Sequence, residues 1–180
     1  MQKKLVHWEF ASFLIVCAAG TLLHFAFRWS GKHPAAAAFA AVNESTWEHM
    51  KLFYWPYLFC TAAGFVKFGD AFRNYLAVKA AAGLIGILAI PVLHYTLAGM
   101  FGPLPDWINI CIFYIAAALA CLMGYFMLVR GILRSGRLQL IGLLALLSLG
   151  LLFVTFTYRT PTLPMFRDPV SGTYGFWERK

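Results

Sequence analysis

Residues 75–100 have the sequence YLAVKAAAGLIGILAIPVLHYTLAGM, a nearly continuous apolar run in which Lys79 is the one Lys, Arg, Asp or Glu. A helix needs about 20 mostly apolar residues to cross the roughly 30 Å hydrocarbon core of a bilayer. This run is therefore long enough to form a transmembrane helix, and it predicts a membrane protein.

Similar apolar stretches occur on both sides of this run, and short breaks containing Gly, Pro or Ser separate them. We predict an all-α, polytopic transmembrane helix bundle with five spans. It also has a short interfacial helix in the Ala-rich segment 35–42 and a non-helical tail. The spans are 5–28, 46–66, 75–100, 106–129 and 138–158, and the tail is 160–180.

The composition agrees with a chain that has lipid as part of its solvent. Of its 180 residues, 61% are hydrophobic and 12% are charged, which leaves too little polar surface for a water-soluble globule. The net charge of +8 could suggest nucleic acid. However, the basic residues flank apolar stretches and form no extended run, so we predict a lipid bilayer as partner and no nucleic acid.

Basic residues in short loops stay on the cytoplasmic side of a membrane and so predict orientation. They are concentrated at the amino terminus and around the ends of spans two and four, whereas the loop after span three has none. We therefore predict a multi-pass protein of the cell membrane with a cytoplasmic amino terminus and an outer carboxyl terminus. The residues are Lys3, Lys4, Lys67, Arg73, Lys79, Arg130, Arg134 and Arg137.

Small residues recur at four-residue spacing in spans three and four. Span three has Ala82 and Gly86, and span four has Ala116, Ala120 and Gly124. Such ridges allow the backbones of two helices to approach closely, so they predict a tight helix contact.

Ionisable side chains inside membrane spans are unfavourable, so each is expected to have a partner, a hydrated cavity or a function. Three predicted spans place such groups at one depth, near the outer end of the bundle. They are His24 in span one, Glu48 and His49 in span two, and His94 in span three. Pro91 frees a backbone carbonyl close to His94, which favours a wet pocket there.

Imidazole and carboxylate groups are typical zinc ligands, and a catalytic zinc site keeps a position for water. Glu44 precedes span two, and Asp168 in the tail could fold back to the same level. We therefore predict a metal site, with zinc as the expected type of ion, from His24, Glu48, His49 and His94. The predicted catalytic residues are Glu44, Glu48 and Asp168, with Glu44 or Asp168 as general base.

Other interpretations of some of these residues need no site. Ser45 and Glu48 have the spacing of a helix capping box, and Lys51 can pair with Glu48 on the same helix face. His7 and Glu9, at the inner end of span one, are expected to be solvated or to contact headgroups.

The tail, 160–180, differs from the spans in containing several prolines and aromatic residues. Prolines favour extended segments and turns over helix. We expect the tail to pack on the outer face of the bundle, where it could form a lid; the alternative is a disordered tail.

Two motifs in the chain resemble a family of small bacterial integral membrane proteins described only as a domain of unknown function. The first is NESxWEHxK at residues 43–51, and the second is PxFxDPxxGxYG at residues 164–175. The resemblance extends over nearly the whole chain and implies no activity.

Three functions remain open from the sequence. The first is a membrane-embedded, metal-dependent enzyme of hydrolase type, although no H-E-x-x-H pair places two ligands on one helix face. The second is a proton- or cation-coupled transporter or binding protein, for which five helices are few and a homo-oligomer is expected. The third is a structural accessory protein whose polar cluster joins three helices.

Overall fold

A computed structural model of the protein describes residues 1–177, and its regular elements are helices. The last three residues of the predicted tail, 178–180, lie outside the described residues. Within 1–177 there is no strand, apart from an isolated antiparallel bridge between Arg167 and Tyr174. The helices are α1 Gln2–Trp29, α2 Pro34–Ala37, α3 Thr46–Phe68, α4 Tyr75–Phe101, α5 Asp106–Arg130 and α6 Gly136–Tyr158, and Pro164–Phe166 forms a 3-10 turn.

Four of the described helices, α1, α4, α5 and α6, are long and apolar enough to cross a membrane. They also expose large apolar side chains, among them Leu22, Leu88, Leu122 and Leu151. Contiguous apolar surface of this kind is typical of a protein that contacts lipid. These features suggest a membrane protein.

Helix α3 forms where the second span is predicted, but it is not one of these four, so the count of five spans is not confirmed. Its sequence includes charged groups, tyrosines and Pro56, which lower its mean hydropathy. It is nevertheless a central helix that packs against α1, α4 and α6. Phe53, Tyr54 and Tyr57 are among its fully buried side chains.

Contacts between helices define two ends of the bundle. At the amino-terminal end, Glu9 of α1 meets Lys79 of α4. At the opposite end, which we call the tail end, α2 and the carboxyl-terminal segment lie against the start of α3 and the end of α6. Tyr158 donates a hydrogen bond to the Pro34 carbonyl there (2.6 Å).

Residues 160–177 are folded onto the tail end. The Phe166 ring lies 4.7 Å from the Trp47 ring and 5.7 Å from the Phe156 ring, measured between centroids. Trp47 belongs to the first sequence motif and Phe166 to the second, so the two motifs meet in space. Whether this end is the outer one stays a prediction.

The small residues of α4 and α5 form the predicted close contact. A Cβ added at Gly86 would lie 2.9 Å from both the Ala116 carbonyl oxygen and the Ala120 Cβ. One added at Gly124 would lie 3.7 Å from the Ala82 Cβ. The sequence prediction of packed small-residue ridges is therefore confirmed.

This contact predicts opposite effects for two glycine-to-alanine changes in α4. Gly86→Ala forces a methyl group against Phe53, Ala116 and Ala120, and overpacking of this kind costs about 1–3 kcal/mol. Gly99→Ala meets nothing within 4 Å. It is expected to stabilise by about 0.4–1 kcal/mol because the unfolded chain loses conformational freedom. Thermal unfolding in a neutral detergent measures both, and equal shifts would contradict the close contact.

Candidate functional site

Two histidines and a glutamate converge at the tail end, where α1 ends and α3 begins. His24 Nε2 lies 3.6 Å from one Glu44 carboxylate oxygen, and His49 Nε2 lies 3.7 Å from the other. One ligand atom from each residue can be chosen so that all three lie within 4.8 Å of one another. We call this set the His24–Glu44–His49 cluster.

These separations are close to those of a metal site. Zinc bonds to nitrogen and oxygen are about 2.0–2.2 Å, so tetrahedral ligand atoms lie roughly 3.3 Å apart. The two histidine–glutamate separations exceed this spacing by a few tenths of an ångström, and the widest pair of ligand atoms, which lies within 4.8 Å, has to close by up to about 1.5 Å. The three side chains are 26%, 48% and 27% exposed, so water can reach them.

The start of α3 positions two members of the cluster. Asn43 Oδ1 accepts a hydrogen bond from the Ser45 amide (3.0 Å), which fixes the turn that carries Glu44. His49 Nδ1 lies 3.0 Å from the Ser45 carbonyl oxygen. Because a carbonyl can only accept, Nδ1 donates, and in this tautomer the lone pair belongs to Nε2, the nitrogen nearer to Glu44. Metal-binding histidines commonly have this arrangement.

His24 reaches the cluster from the last turns of α1. Its ring centroid lies 5.6 Å from that of His49, with 34° between the planes. Asp106, at the start of α5, is near enough to interact electrostatically with His24. The cluster thus draws on α1, the loop before α3 and α3 itself.

Glu48, which the sequence placed in the metal site, is engaged elsewhere. Its carboxylate forms an ion pair with Lys51 (2.6 Å) and accepts a hydrogen bond from the Val42 amide (3.0 Å). Both charged side chains are buried, at 2% and 0% exposure. Successive helical residues point about 100° apart, so Glu48 shares its face with Lys51 rather than with His49.

Lys51 also bonds to two other elements. Its ammonium donates to the Ala37 carbonyl (2.7 Å) and to Thr157 Oγ1 (2.9 Å). The pairing of Glu48 with Lys51 that the sequence suggested is present. Only half of the predicted capping box is formed. The Ser45 side chain accepts a hydrogen bond from the Glu48 amide (3.4 Å), but the Glu48 carboxylate accepts from the Val42 amide and not from the Ser45 amide.

His94 does not join the cluster either. Its Nδ1 lies 2.9 Å from Asn109 Oδ1, so it links α4 to α5. The sequence predicted the depth of His94 but not its neighbours. Helix α1 packs mainly on α3 and α5, and α4 packs mainly on α5, α6 and α3, so equal depth does not bring His24 and His94 together.

Asp168 organises the tail instead of facing the cluster. Its carboxylate accepts hydrogen bonds from the Val170 amide (3.0 Å) and from Ser171 Oγ (2.6 Å). Its amide donates to the Thr173 carbonyl (2.9 Å), which closes the loop. Each carboxylate oxygen of Asp168 thus accepts one hydrogen bond from the tail itself, and its role as a general base stays a prediction.

A second buried ion pair was missed by the sequence interpretation. Lys79 Nζ lies 2.8 and 3.0 Å from the two carboxylate oxygens of Glu9. Their exposures are 1% and 4%, so the expectation of a solvated Glu9 is wrong. The Tyr57 ring centroid lies 5.1 Å from Nζ, and a Cβ added at Gly124 would lie 3.4 Å from it. The available signal was one acid in span one and one base in span three, each near the predicted inner end.

Comparison with known proteins gives one assignment. No curated protein sequence and no solved structure shows a significant match to the chain. A family described as "Family of unknown function (DUF6512)" matches residues 1–176, nearly the full length. The match agrees with the resemblance carried by the two motifs, and the chain belongs to this family.

Proposed function

We propose that the protein is a metal-dependent membrane protein that binds a zinc-type divalent ion in the His24–Glu44–His49 cluster. The observation that carries the proposal is the approach of two imidazoles and one carboxylate within 4.8 Å of one another. Two histidines and a glutamate form a common ligand set of catalytic zinc sites, which leave the fourth position for water or substrate.

The chemistry that this ligand set supports best is hydrolysis. A zinc ion with an open position lowers the pKa of its bound water to about 7 and can polarise a carbonyl or phosphoryl group. In this proposal Glu44 is a ligand, and Glu48 and Asp168 have no proton-transfer role because other groups occupy their carboxylates. The partial exposure of the cluster provides access for a substrate at the membrane boundary.

Metal analysis of the purified protein tests this proposal. We expect about one zinc per chain and a cobalt-substituted form with a visible spectrum of tetrahedral type. Loss of a residue that only hydrogen-bonds to a metal ligand weakens metal binding by about 10–100-fold. Because His24→Ala and His49→Ala each remove a proposed ligand, each should weaken metal binding by more than this.

His94→Ala is the matched control, because it removes a half-buried histidine at the same end of the bundle that contacts Asn109. It should keep the metal. A wild-type protein without metal after exposure to zinc would refute the proposal, and so would equal metal loss in the His94 and His49 variants.

We further propose a topology in which α3 crosses the membrane as a fifth span inside the four apolar helices. The amino terminus is then cytoplasmic, and the tail lies outside a bacterial cell membrane. The uneven distribution of basic residues supports this orientation. Alkaline phosphatase fused after residue 177 should be active, and phosphatase fused in the loop between α3 and α4 should be inactive. The reverse pattern would show that the topology is the opposite of the one proposed.

A proton- or cation-coupled transporter is the second candidate, and the buried Glu9–Lys79 pair is the observation that favours it. Ionisable residues inside membrane bundles commonly mark ion or proton paths. A homo-oligomer would then supply the remaining helices. Ion-coupled flux in proteoliposomes that is lost in Glu9→Gln, without metal in the wild type, would favour transport over hydrolysis.

A further inference from the structure

A groove of about 440 Å³ lies between α1 and the end of α3, at the amino-terminal end of the bundle. It is far from the His24–Glu44–His49 cluster and has no role in the proposed hydrolysis. Its lining residues are Lys4, His7, Trp8, Ala11 and Lys67. Three of the five are basic or can become cationic, and none is acidic.

The cationic rim of this groove is held in place by its neighbours. The Lys67 ammonium lies 5.1 Å from the Trp8 ring centroid and 5.6 Å from that of Phe68, so two aromatic faces attract it. His7 Nδ1 donates to the Lys3 carbonyl (2.6 Å), which leaves Nε2 directed away from the helix backbone. Lys4, His7 and Lys67 all remain exposed, so they can contact an anion.

The rest of the groove is apolar. Trp8 and Ala11 are half-buried and form its inner part. One turn beyond Ala11, Leu14 and Ile15 flank the same face of α1 and expose apolar side chains, at 49% and 41%. A cationic rim above an apolar surface matches an amphiphile better than a free anion, because both parts of the ligand then find a partner.

The position of the groove also favours a lipid. Helix α1 is one of the four helices that can cross a membrane, and the groove lies in its first three turns. The terminal turns of a membrane-spanning helix lie where headgroups meet the hydrocarbon. Basic pockets between helices at this level bind anionic headgroups. Further basic residues at the same end strengthen the local positive potential, among them Arg73, Arg130, Arg134 and Arg137.

We propose that this groove binds the phosphate headgroup of an anionic phospholipid. Lys4 and Lys67 pair with the phosphate from α1 and α3, Trp8 holds the Lys67 ammonium, and the acyl chains follow the apolar surface beside Ala11. The lipid thereby bridges two helices that the sequence joins only through the opposite end of the bundle.

Native mass spectrometry of the full-length protein in a neutral detergent tests the proposal. The probes are phosphatidylglycerol, phosphatidylcholine, inorganic phosphate and glycerol phosphate. We expect phosphatidylglycerol to bind at least about tenfold more tightly than phosphatidylcholine, and Lys4→Gln/Lys67→Gln to remove this preference, since the two lysines supply the attraction to the anionic headgroup.

The control is Lys3→Gln/Arg137→Gln, which removes the same charge at the same end but outside the groove. It should bind phosphatidylglycerol within about twofold of wild type. Equal losses in the two double variants would overturn the site in favour of a diffuse electrostatic effect. If inorganic phosphate or glycerol phosphate binds as tightly as phosphatidylglycerol, the occupant is not a lipid. If phosphatidylglycerol and phosphatidylcholine bind equally, the groove has no preference for an anionic headgroup, and both the site and its occupant are overturned.

Discussion

Lys79→Met is expected to destabilise the protein by about 3–5 kcal/mol, because it leaves the Glu9 carboxylate charged and buried without a partner. The wild-type ammonium contacts both Glu9 oxygens and is 1% exposed, so water cannot take its place without opening the bundle. Unfolding in mixed micelles of a neutral detergent and sodium dodecyl sulfate, followed by circular dichroism, measures the loss.

Two further variants separate charge from packing. Glu9→Leu/Lys79→Met removes both charges, and apolar replacements of a buried pair are commonly neutral or stabilising, so it should regain most of the lost stability. Lys3→Met makes the same lysine-to-methionine change at an exposed position of α1 and should have little effect. If the double variant is as unstable as Lys79→Met, the loss arises from shape and not from an unpaired charge.

Lys51→Met is expected to have an effect of similar size at the tail end. Lys51 is fully buried and bonds to Glu48, the Ala37 carbonyl and Thr157. Its loss leaves the buried Glu48 carboxylate without a cationic partner and removes the bonds from α3 to α2 and to the end of α6. We expect a loss of about 3–5 kcal/mol and a looser tail. Limited trypsin digestion reports the second effect, because Arg167 lies in the folded tail and is exposed.

Cleavage after Arg167 should be faster in Lys51→Met than in wild type, at a temperature where both remain helical. Lys3→Met makes the same lysine-to-methionine change at an exposed position of α1 and should leave both stability and cleavage unchanged. A Lys51→Met protein with normal stability and normal cleavage would show that contacts other than those of Lys51 hold the tail, among them those of Phe166 with Trp47 and Phe156.

The helices were predictable because length and hydropathy determine them. The segment predicted at 75–100 is helix Tyr75–Phe101, and the one predicted at 106–129 is Asp106–Arg130. The glycine and alanine spacing also predicted the contact between α4 and α5, since small residues decide how closely two helices can approach. These features depend on neighbouring residues in the chain or on one helix face.

The candidate site was only partly predictable, because depth along a bundle does not specify which helices are neighbours. His24, His49 and Glu44 were placed at one level and do converge, although Glu44 was predicted as a catalytic residue and not as part of the metal site. His94 has the same predicted depth but contacts α5. Its partner depends on the arrangement of helices around the bundle, which hydropathy does not encode.

The two buried ion pairs show a related difference. Glu48 and Lys51 are three residues apart on one helix, so their pairing follows from helical phase. Glu9 and Lys79 are 70 residues apart, and only the packing of α1 near α4 brings them together. From the sequence each was an ordinary charge near the end of a span.

Helix α3 depends on residues that the ribosome makes much later. Thr157, which bonds to Lys51, follows it by 106 residues, and the charges of α3 make it a weak membrane helix until such partners are present. If α3 is the fifth span proposed above, we expect newly made α3 to wait beside the insertion machinery and to enter lipid only when α6 has been synthesised. Chains that end before α6 should therefore be degraded rather than accumulate as shorter bundles.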